Sequence, residues 1–118
     1  MVIERRREHS SEFERHLQSL LKKDRDLRQK VEKELELRRK QGPGKDPLLK
    51  GVNCRPVFKM RVQAQGCGKR GGARVIYYCD HERLLALLIF LKSKKANMSS
   101  EDLKQIQAAL QDAGLWPK

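Results

Sequence analysis

The amino-acid sequence predicts an α+β fold, in which an N-terminal helical hairpin packs on a small, mostly antiparallel sheet of three to four strands and a C-terminal helix follows. Residues 57–65 alternate between apolar and polar side chains, which is the pattern of a half-buried strand. Residues 84–91 are apolar at every position, which is typical of a central strand covered on both faces. Residues 11–41 instead carry apolar side chains at helical spacing. We expect residues 1–118 to form a single domain.

Two apolar stripes at helical spacing precede the sheet. Ser10 or Ser11 can cap the first helix, and Asp24 can cap the second. Glycine and proline at 42–44 end the second helix. Because the connection between the helices is short, we expect an antiparallel hairpin that lies on the sheet. The stripes consist of Phe13, Leu17, Leu20 and Leu21 in the first helix, and of Leu27, Val31 and Leu35 in the second.

The sheet is predicted from extended segments separated by turn signals. The three main strands are Val57–Gln65, Ala73–Asp80 and Arg83–Lys92. A short edge strand can start at Val2 and Ile3, and the arginines at 5–7 end its apolar character. A glycine-rich basic turn at 66–72 joins the first two main strands.

The C-terminal helix is predicted from its end signals. Ser99 is the expected N-cap, and Asp102 at the third helical position completes a capping box. Met98 can pack against Leu103 across this cap, and Gly114 ends the helix. The predicted order of elements is therefore β, α, α, β, β, β, α.

Positive charge is concentrated in the predicted sheet. The chain has a formal net charge of +12, and residues 54–95 carry ten Lys and Arg residues against two acidic residues. Such a concentration is expected of a nucleic-acid binder. A solvated basic surface would account for the charge alone equally well. The scarcity of acidic residues around strands that otherwise look buried favours nucleic-acid binding.

The cysteine and histidine spacing does not predict a metal site. Cys54, Cys67 and Cys79 form no CxxC pair, and the three histidines are not spaced as ligands, so no metal or other cofactor is expected. Free thiols in a chain without a recognisable signal sequence lead us to expect a reducing cytoplasm. The longest apolar run, residues 84–91, is too short to span a membrane, so no membrane partner is expected.

Cationic side chains of two neighbouring strands are the candidate site. Lys59 and Arg61 share one face of their strand because alternate residues point the same way, and Arg74 joins them if the strands pair as a hairpin. RNA carries its own nucleophile, the 2′-OH, so a protein needs only to move its proton, align the chain and neutralise the charge on the phosphorane. Arginine suits the charge neutralisation, and a lysine crowded by cations can act as acid or base. From spacing alone, phosphate binding without catalysis is the favoured interpretation.

The three main strands contain no acidic residue except Asp80 at the very end of the second, and Asp80 and Glu82 belong to the turn between the last two strands. Metal-assisted hydrolysis and hydrolysis by a carboxylate pair both need acidic side chains at the site. The sequence therefore argues against these two mechanisms.

Three runs of sequence resemble type II toxins of the RelE/ParE superfamily, in its HigB-like branch. The runs are residues 59–62 (KMRV), residues 68–78 (GKRGGARVIYY) and residues 87–92 (LLIFLK), and the second is the most specific. The similarity extends over approximately residues 2–110. Two departures from the family pattern are the Phe90-Leu91 pair, where the branch has tyrosine and proline, and a tail without the tyrosine or histidine that relatives use as a base.

The resemblance implies a microbial-ribonuclease-like sheet and a metal-independent endoribonuclease, an mRNA interferase that cleaves mRNA on the translating ribosome. It implies a cognate antitoxin from the same operon, HigA-like and DNA-binding, that holds the toxin inactive. Carried over by position, the implied catalytic residues are Lys59, Arg61, Arg74 and Lys92. The candidate RNA-binding residues are Lys69, Arg70, Lys94, Lys95 and Tyr78, although Tyr78 can instead be a core tyrosine.

Two other functions stay open at this point. A toxin of the same fold can inhibit a protein target such as DNA gyrase, and the chain can be an inactive RNA- or ribosome-binding module. The strand-borne cations favour the ribonuclease over the gyrase inhibitor, because an inhibitor of a protein has no need of a converging phosphate site. The missing base keeps the inactive module open.

Overall fold

The computed structural model describes residues 5–52, 56–63, 72–92 and 98–115. Within these ranges the chain forms an α+β fold, so the predicted fold class is confirmed. The elements are β1 Arg6–His9, α1 Ser11–Leu21, α2 Leu27–Gln41, β2 Val57–Val62, β3 Ala73–Cys79, β4 Arg83–Leu91 and α3 Ser100–Asp112. The sheet order is β1-β4-β3-β2, in which β2–β3 and β3–β4 are antiparallel and β1 runs parallel to β4.

The first strand contains two of the arginines that follow its predicted start. β1 runs Arg6–His9, so the strand continues where its apolar character was expected to end; Val2 and Ile3, the predicted start, lie outside the described residues. Its charged side chains form ion pairs on both faces of the sheet. Arg7 donates to Glu32 of α2 at 3.0 Å, and Glu8 lies 3.6 Å from Arg83. A charged edge strand also resists pairing with other chains.

The two N-terminal helices begin at different kinds of cap. Ser10 caps α1, because its Oγ accepts a hydrogen bond from the backbone N–H of Phe13 at 3.1 Å. The prediction of Asp24 as the cap of α2 was wrong by two residues, since Asp26 occupies that position. The Asp24 carboxylate instead accepts from the backbone N–H of Asp26 at 3.1 Å, which stabilises the turn before the helix.

Each face of the sheet carries its own apolar core. The stripes of α1 and α2 pack against one face, where Met60, Val75 and Tyr77 are fully buried. Ile106 and Leu110 of α3 belong to a second core on the opposite face. The helical hairpin lies on the sheet as predicted, and β4 is buried on both faces as its uninterrupted apolar run indicated.

A register shift in β4 decides which of its side chains share a face with α3. Tyr77 of β3 pairs with Ala86, whereas Ile76 pairs with Leu88, so Leu87 is an extra residue in β4. Such a bulge resets the alternation of side chains along the strand. As a result Leu88 and Phe90 belong to the core on the α3 face.

The capping box predicted for α3 is confirmed. Ser99 Oγ accepts from the backbone N–H of Asp102 at 3.1 Å, and the Asp102 carboxylate accepts from the backbone N–H of Ser99 at 3.0 Å. Gly114 follows the helix with φ 74°, a conformation that glycine adopts without strain. None of the helices in the described part of the chain is long and apolar enough to cross a membrane.

Candidate active site

An open hollow of about 770 Å³ lies on the α3 face of the sheet. Its walls come from β2, β3 and β4, from the segment 45–50, and from the start of α3. Among the residues that the structure describes, seven cationic side chains and one carboxylate line it: Arg38, Lys45, Lys50, Lys59, Arg61, Arg74, Lys92 and Asp46. The remaining lining is apolar and consists of Pro47, Leu48, Leu49, Phe90, Met98 and Leu103.

All four residues predicted as catalytic line this one hollow: Lys59, Arg61, Arg74 and Lys92. Arg61 and Arg74 are direct register partners across β2 and β3, which is the hairpin pairing that the sequence argument required. Lys59 precedes Arg61 by two residues and therefore shares its face. Lys92 follows β4, and its backbone N–H donates to the carbonyl of Gly72 at 3.0 Å, so it lies beside the start of β3. The roles of these residues in catalysis stay predictions.

Arg74 forms the buried floor of the cationic cluster. It is 4% exposed, whereas Lys59, Arg61 and Lys92 are exposed to solvent. Burial of the guanidinium lowers the pKa of Arg74, and the positive charge of Arg61 lowers it further. An anion in the hollow would offset both effects, because it supplies the opposite charge to two neighbouring guanidinium groups.

The residues predicted to bind RNA separate into two groups. Lys69, Arg70, Lys94 and Lys95 lie outside the described residues. Tyr78 is 7% exposed, belongs to the core on the α3 face and donates its hydroxyl to Asp80 at 2.7 Å. It does not line the hollow, so the interpretation as a core tyrosine fits its position.

A carboxylate that the sequence argument missed lies in the hollow wall. Asp46 Oδ2 accepts from the Tyr77 hydroxyl at 2.5 Å and from Arg38 Nε at 2.9 Å, and its Oδ1 accepts from Arg38 Nη2 at 3.1 Å. Burial raises the pKa of Tyr77, and Asp46 raises it further. The hydrogen bond with Asp46 is also the main cause that raises the pKa of Arg38. Asp46 thus accepts hydrogen bonds from a guanidinium group and from a phenol.

The same aspartate fastens the segment 45–50 to the rest of the fold. Next to it, the backbone N–H of Leu49 donates to Val57 at 2.8 Å, and that of Lys59 donates to Pro47 at 3.0 Å. The segment therefore pairs with the edge of β2, and it brings Lys45 and Lys50 to the hollow. One sequence signal pointed to Asp46, which is the only acidic residue between Glu36 and Asp80.

The acidic, histidine and cysteine side chains do not form a metal centre in the described part of the chain. Among those residues, no group of three or more is placed to hold a metal ion. The described cysteine, Cys79, is a free and buried thiol, and burial raises its pKa.

Residues 50–114 match the family model described as the RelE toxin of the RelE / RelB toxin-antitoxin system. The match spans more than half of the chain and includes β2, β3, β4 and α3. The chain belongs to the RelE toxin family. This RelE-family protein is therefore the toxin of a type II toxin–antitoxin system, and its partner is a cognate antitoxin. The four cations predicted as catalytic all lie inside the matched segment, whereas the α1–α2 hairpin and Asp46 lie before it.

Proposed function

We propose that this RelE-family toxin is a metal-independent endoribonuclease that cleaves mRNA on the ribosome through attack by the 2′-OH. The observation that carries the proposal is the convergence of Lys59, Arg61, Arg74 and Lys92 on one hollow. Toxins of this family are generally ribonucleases, which supports the assignment of the hollow to RNA.

The reaction needs a site that binds a phosphate and moves two protons. The 2′-oxygen attacks the neighbouring phosphorus, the bond to the 5′-oxygen breaks, and a cyclic 2′,3′-phosphate remains on the upstream product. Arg61 and Arg74 face the phosphate from adjacent strands and neutralise the charge that develops on the phosphorane. Lys92 adds a third positive charge from the end of β4.

Lys59 is the residue proposed to exchange a proton with the reacting oxygens. It is exposed at the hollow, and it lies on the same face of β2 as Arg61. One proton leaves the 2′-OH and one is delivered to the 5′-oxygen, so the net charge of the site is restored after each turnover. Asp46 is unsuited to this task, because Arg38 and Tyr77 already occupy both of its oxygens.

The finer assignment is the HigB-like branch of the superfamily, supported by the sequence runs at 59–62, 68–78 and 87–92. The corresponding partner is a HigA-like, DNA-binding antitoxin, and the site of action is the cytoplasm, where mRNA is translated. Lys69, Arg70, Lys94 and Lys95 are proposed to contact the message or ribosomal RNA.

Mapping of new 5′ ends in cellular mRNA tests the proposal. The toxin is expressed under tight control, with the Arg74→Ala variant as its matched control. Cuts within translated codons that depend on Arg74 are expected. Growth arrest with intact messages would instead support inhibition of a protein target such as DNA gyrase, and the absence of any phenotype would support an inactive binding module.

A further inference from the structure

An aromatic side chain continues the row of arginines across the sheet. Arg61 pairs with Arg74, and Arg74 pairs with Phe90 on the next strand. Side chains directly opposite each other on one face have Cβ atoms about 4.5–5.5 Å apart. The bulge at Leu87 puts Phe90 on this face, and its half-buried ring lines the hollow. Phe90 therefore lies next to the proposed phosphate site.

Two chemically different kinds of side chain line the hollow. Cations of β2 and β3 line it, and so do the apolar residues Phe90, Leu49, Met98 and Leu103. These four apolar residues, called the apolar lining below, are partly buried and pack against the core beneath them. A phosphate alone requires no apolar wall, whereas a nucleotide presents a charged phosphate beside a flat and largely apolar base.

We propose that the apolar lining around Phe90 is a nucleobase subsite, in which a base next to the scissile phosphate stacks on the ring of Phe90. This inference rests on the proposed ribonuclease function and adds a binding contact to it. Proteins hold unpaired RNA bases by stacking them on aromatic side chains. Met98 and Leu103 contact the edge of the stacked base. Because stacking uses the face of the base, the subsite accepts all four bases and favours the larger purines.

The experiment uses a single-stranded 2′-O-methyl RNA oligonucleotide, which has no free 2′-OH and is not cleaved. A series of these oligonucleotides carries one abasic position that moves along the strand. Dissociation constants are measured for the purified wild-type toxin, for Phe90→Leu and for Phe90→Tyr. Leucine keeps an apolar side chain at this position, and tyrosine keeps the aromatic ring.

For the wild-type protein, one abasic position is expected to raise the Kd by about tenfold or more. The Kd of Phe90→Leu for the intact oligonucleotide should equal the Kd of the wild type for the oligonucleotide with that abasic position. The Kd of Phe90→Leu should not change further when that position is made abasic. Phe90→Tyr should behave like the wild type. If the leucine variant does not fold, the Kd values of the wild type and of Phe90→Tyr along the abasic series still test the subsite.

Equal Kd values along the abasic series, or no measurable binding by the wild type, would overturn the subsite. So would a Phe90→Leu variant that keeps the full sensitivity to the abasic position. The proposed ribonuclease function is judged separately, by cleavage of messages in cells. If the wild type cleaves mRNA but its Kd is the same for every abasic position, the subsite alone is rejected. If the wild type does not cleave mRNA, the ribonuclease function is rejected.

Discussion

Arg61 and Arg74 stand opposite each other on adjacent antiparallel strands, in direct register. Two like charges in this position destabilise a strand pair. Arg74 is in addition almost fully buried, and both effects lower its pKa. A sheet that keeps two arginines in this arrangement gives up some stability, which is expected if the pair serves to bind an anion.

Arg74→Ala is expected to abolish toxicity while the protein stays folded. The loss of one group that stabilises transition-state charge lowers kcat by about 10²–10³-fold. The free energy of unfolding should change little, because the loss of the repulsion with Arg61 offsets the lost packing of the buried side chain. Growth assays and chemical denaturation measure the two quantities.

Arg25→Ala is the matched control for this substitution. Arg25 is an exposed arginine in the turn before α2, outside the lining of the hollow, so its removal changes net charge equally and should leave toxicity intact. An Arg74→Ala protein that arrests growth as well as the unmodified chain would show that the role assigned to Arg74 is wrong.

Binding of single-stranded RNA is expected to weaken steeply with salt. The reason is that bound RNA would have several phosphates neutralised by the cations around the hollow and would release their counterions. For about three to four phosphates, log K should fall with log salt with a slope of about −2 to −3. Arg61→Ala should reduce the magnitude of this slope by about 0.7, whereas Arg25→Ala should not. Affinity that stays constant between low and moderate salt would contradict the prediction.

Asp46→Ala is expected to lower the free energy of unfolding by about 2–3 kcal/mol, because the Tyr77 hydroxyl and the Arg38 guanidinium lose their shared acceptor. RNA binding should also weaken, since Asp46 anchors the segment that carries Lys45 and Lys50. Urea denaturation and the Kd for RNA give the two readouts.

Asp26→Ala is the control, because that exposed carboxylate makes no capping hydrogen bond. Its effect on the free energy of unfolding should stay within about 0.5 kcal/mol. Equal stability of the two variants would argue against an anchoring role.

Tyr77→Phe is expected to change the alkaline limb of the stability curve. Burial and Asp46 raise the pKa of Tyr77 above its ordinary value of 10.0, so the folded protein keeps the proton that the unfolded chain releases. The stabilisation from the neutral phenol is therefore complete below pH 10 and is lost progressively as the pH rises above it.

The phenylalanine variant should lose about 1 kcal/mol at neutral pH, since one hydrogen bond is removed while the ring contact with Phe58 at 5.6 Å is kept. Its stability should then fall less steeply above pH 10 than that of the wild type. Denaturant titrations at a series of pH values measure both effects. Parallel curves for the two proteins would mean that Tyr77 ionises equally in the folded and unfolded states.

Local periodicity was sufficient to predict most elements and much of the site. The alternation around Lys59 and Arg61 placed both on one face, and the helical stripes predicted the hairpin. The four cations predicted as catalytic all line the hollow, and they were named from the sequence through this alternation and through the family resemblance; Arg38, Lys45 and Lys50, which also line it, were not. Two strand ends were also close, since β3 ends at Cys79 and β4 at Leu91, one residue before each predicted end, whereas β2 ends at Val62, before its predicted end.

Only the tertiary structure decided the features that depend on residues far apart in the chain. β1 forms from charged residues because Glu32 and Arg83 pair with it, and neither partner is visible in its own sequence pattern. Asp46 reaches Tyr77 across 31 positions, and a single extra residue at Leu87 turns Phe90 toward Arg74. The sequence by itself determined the helices, the three main strands and the cationic face of β2, because these follow from side-chain spacing. The walls of the hollow depend on contacts between residues far apart in the chain and on the register of the strands. The spacing of side chains along the sequence specifies neither.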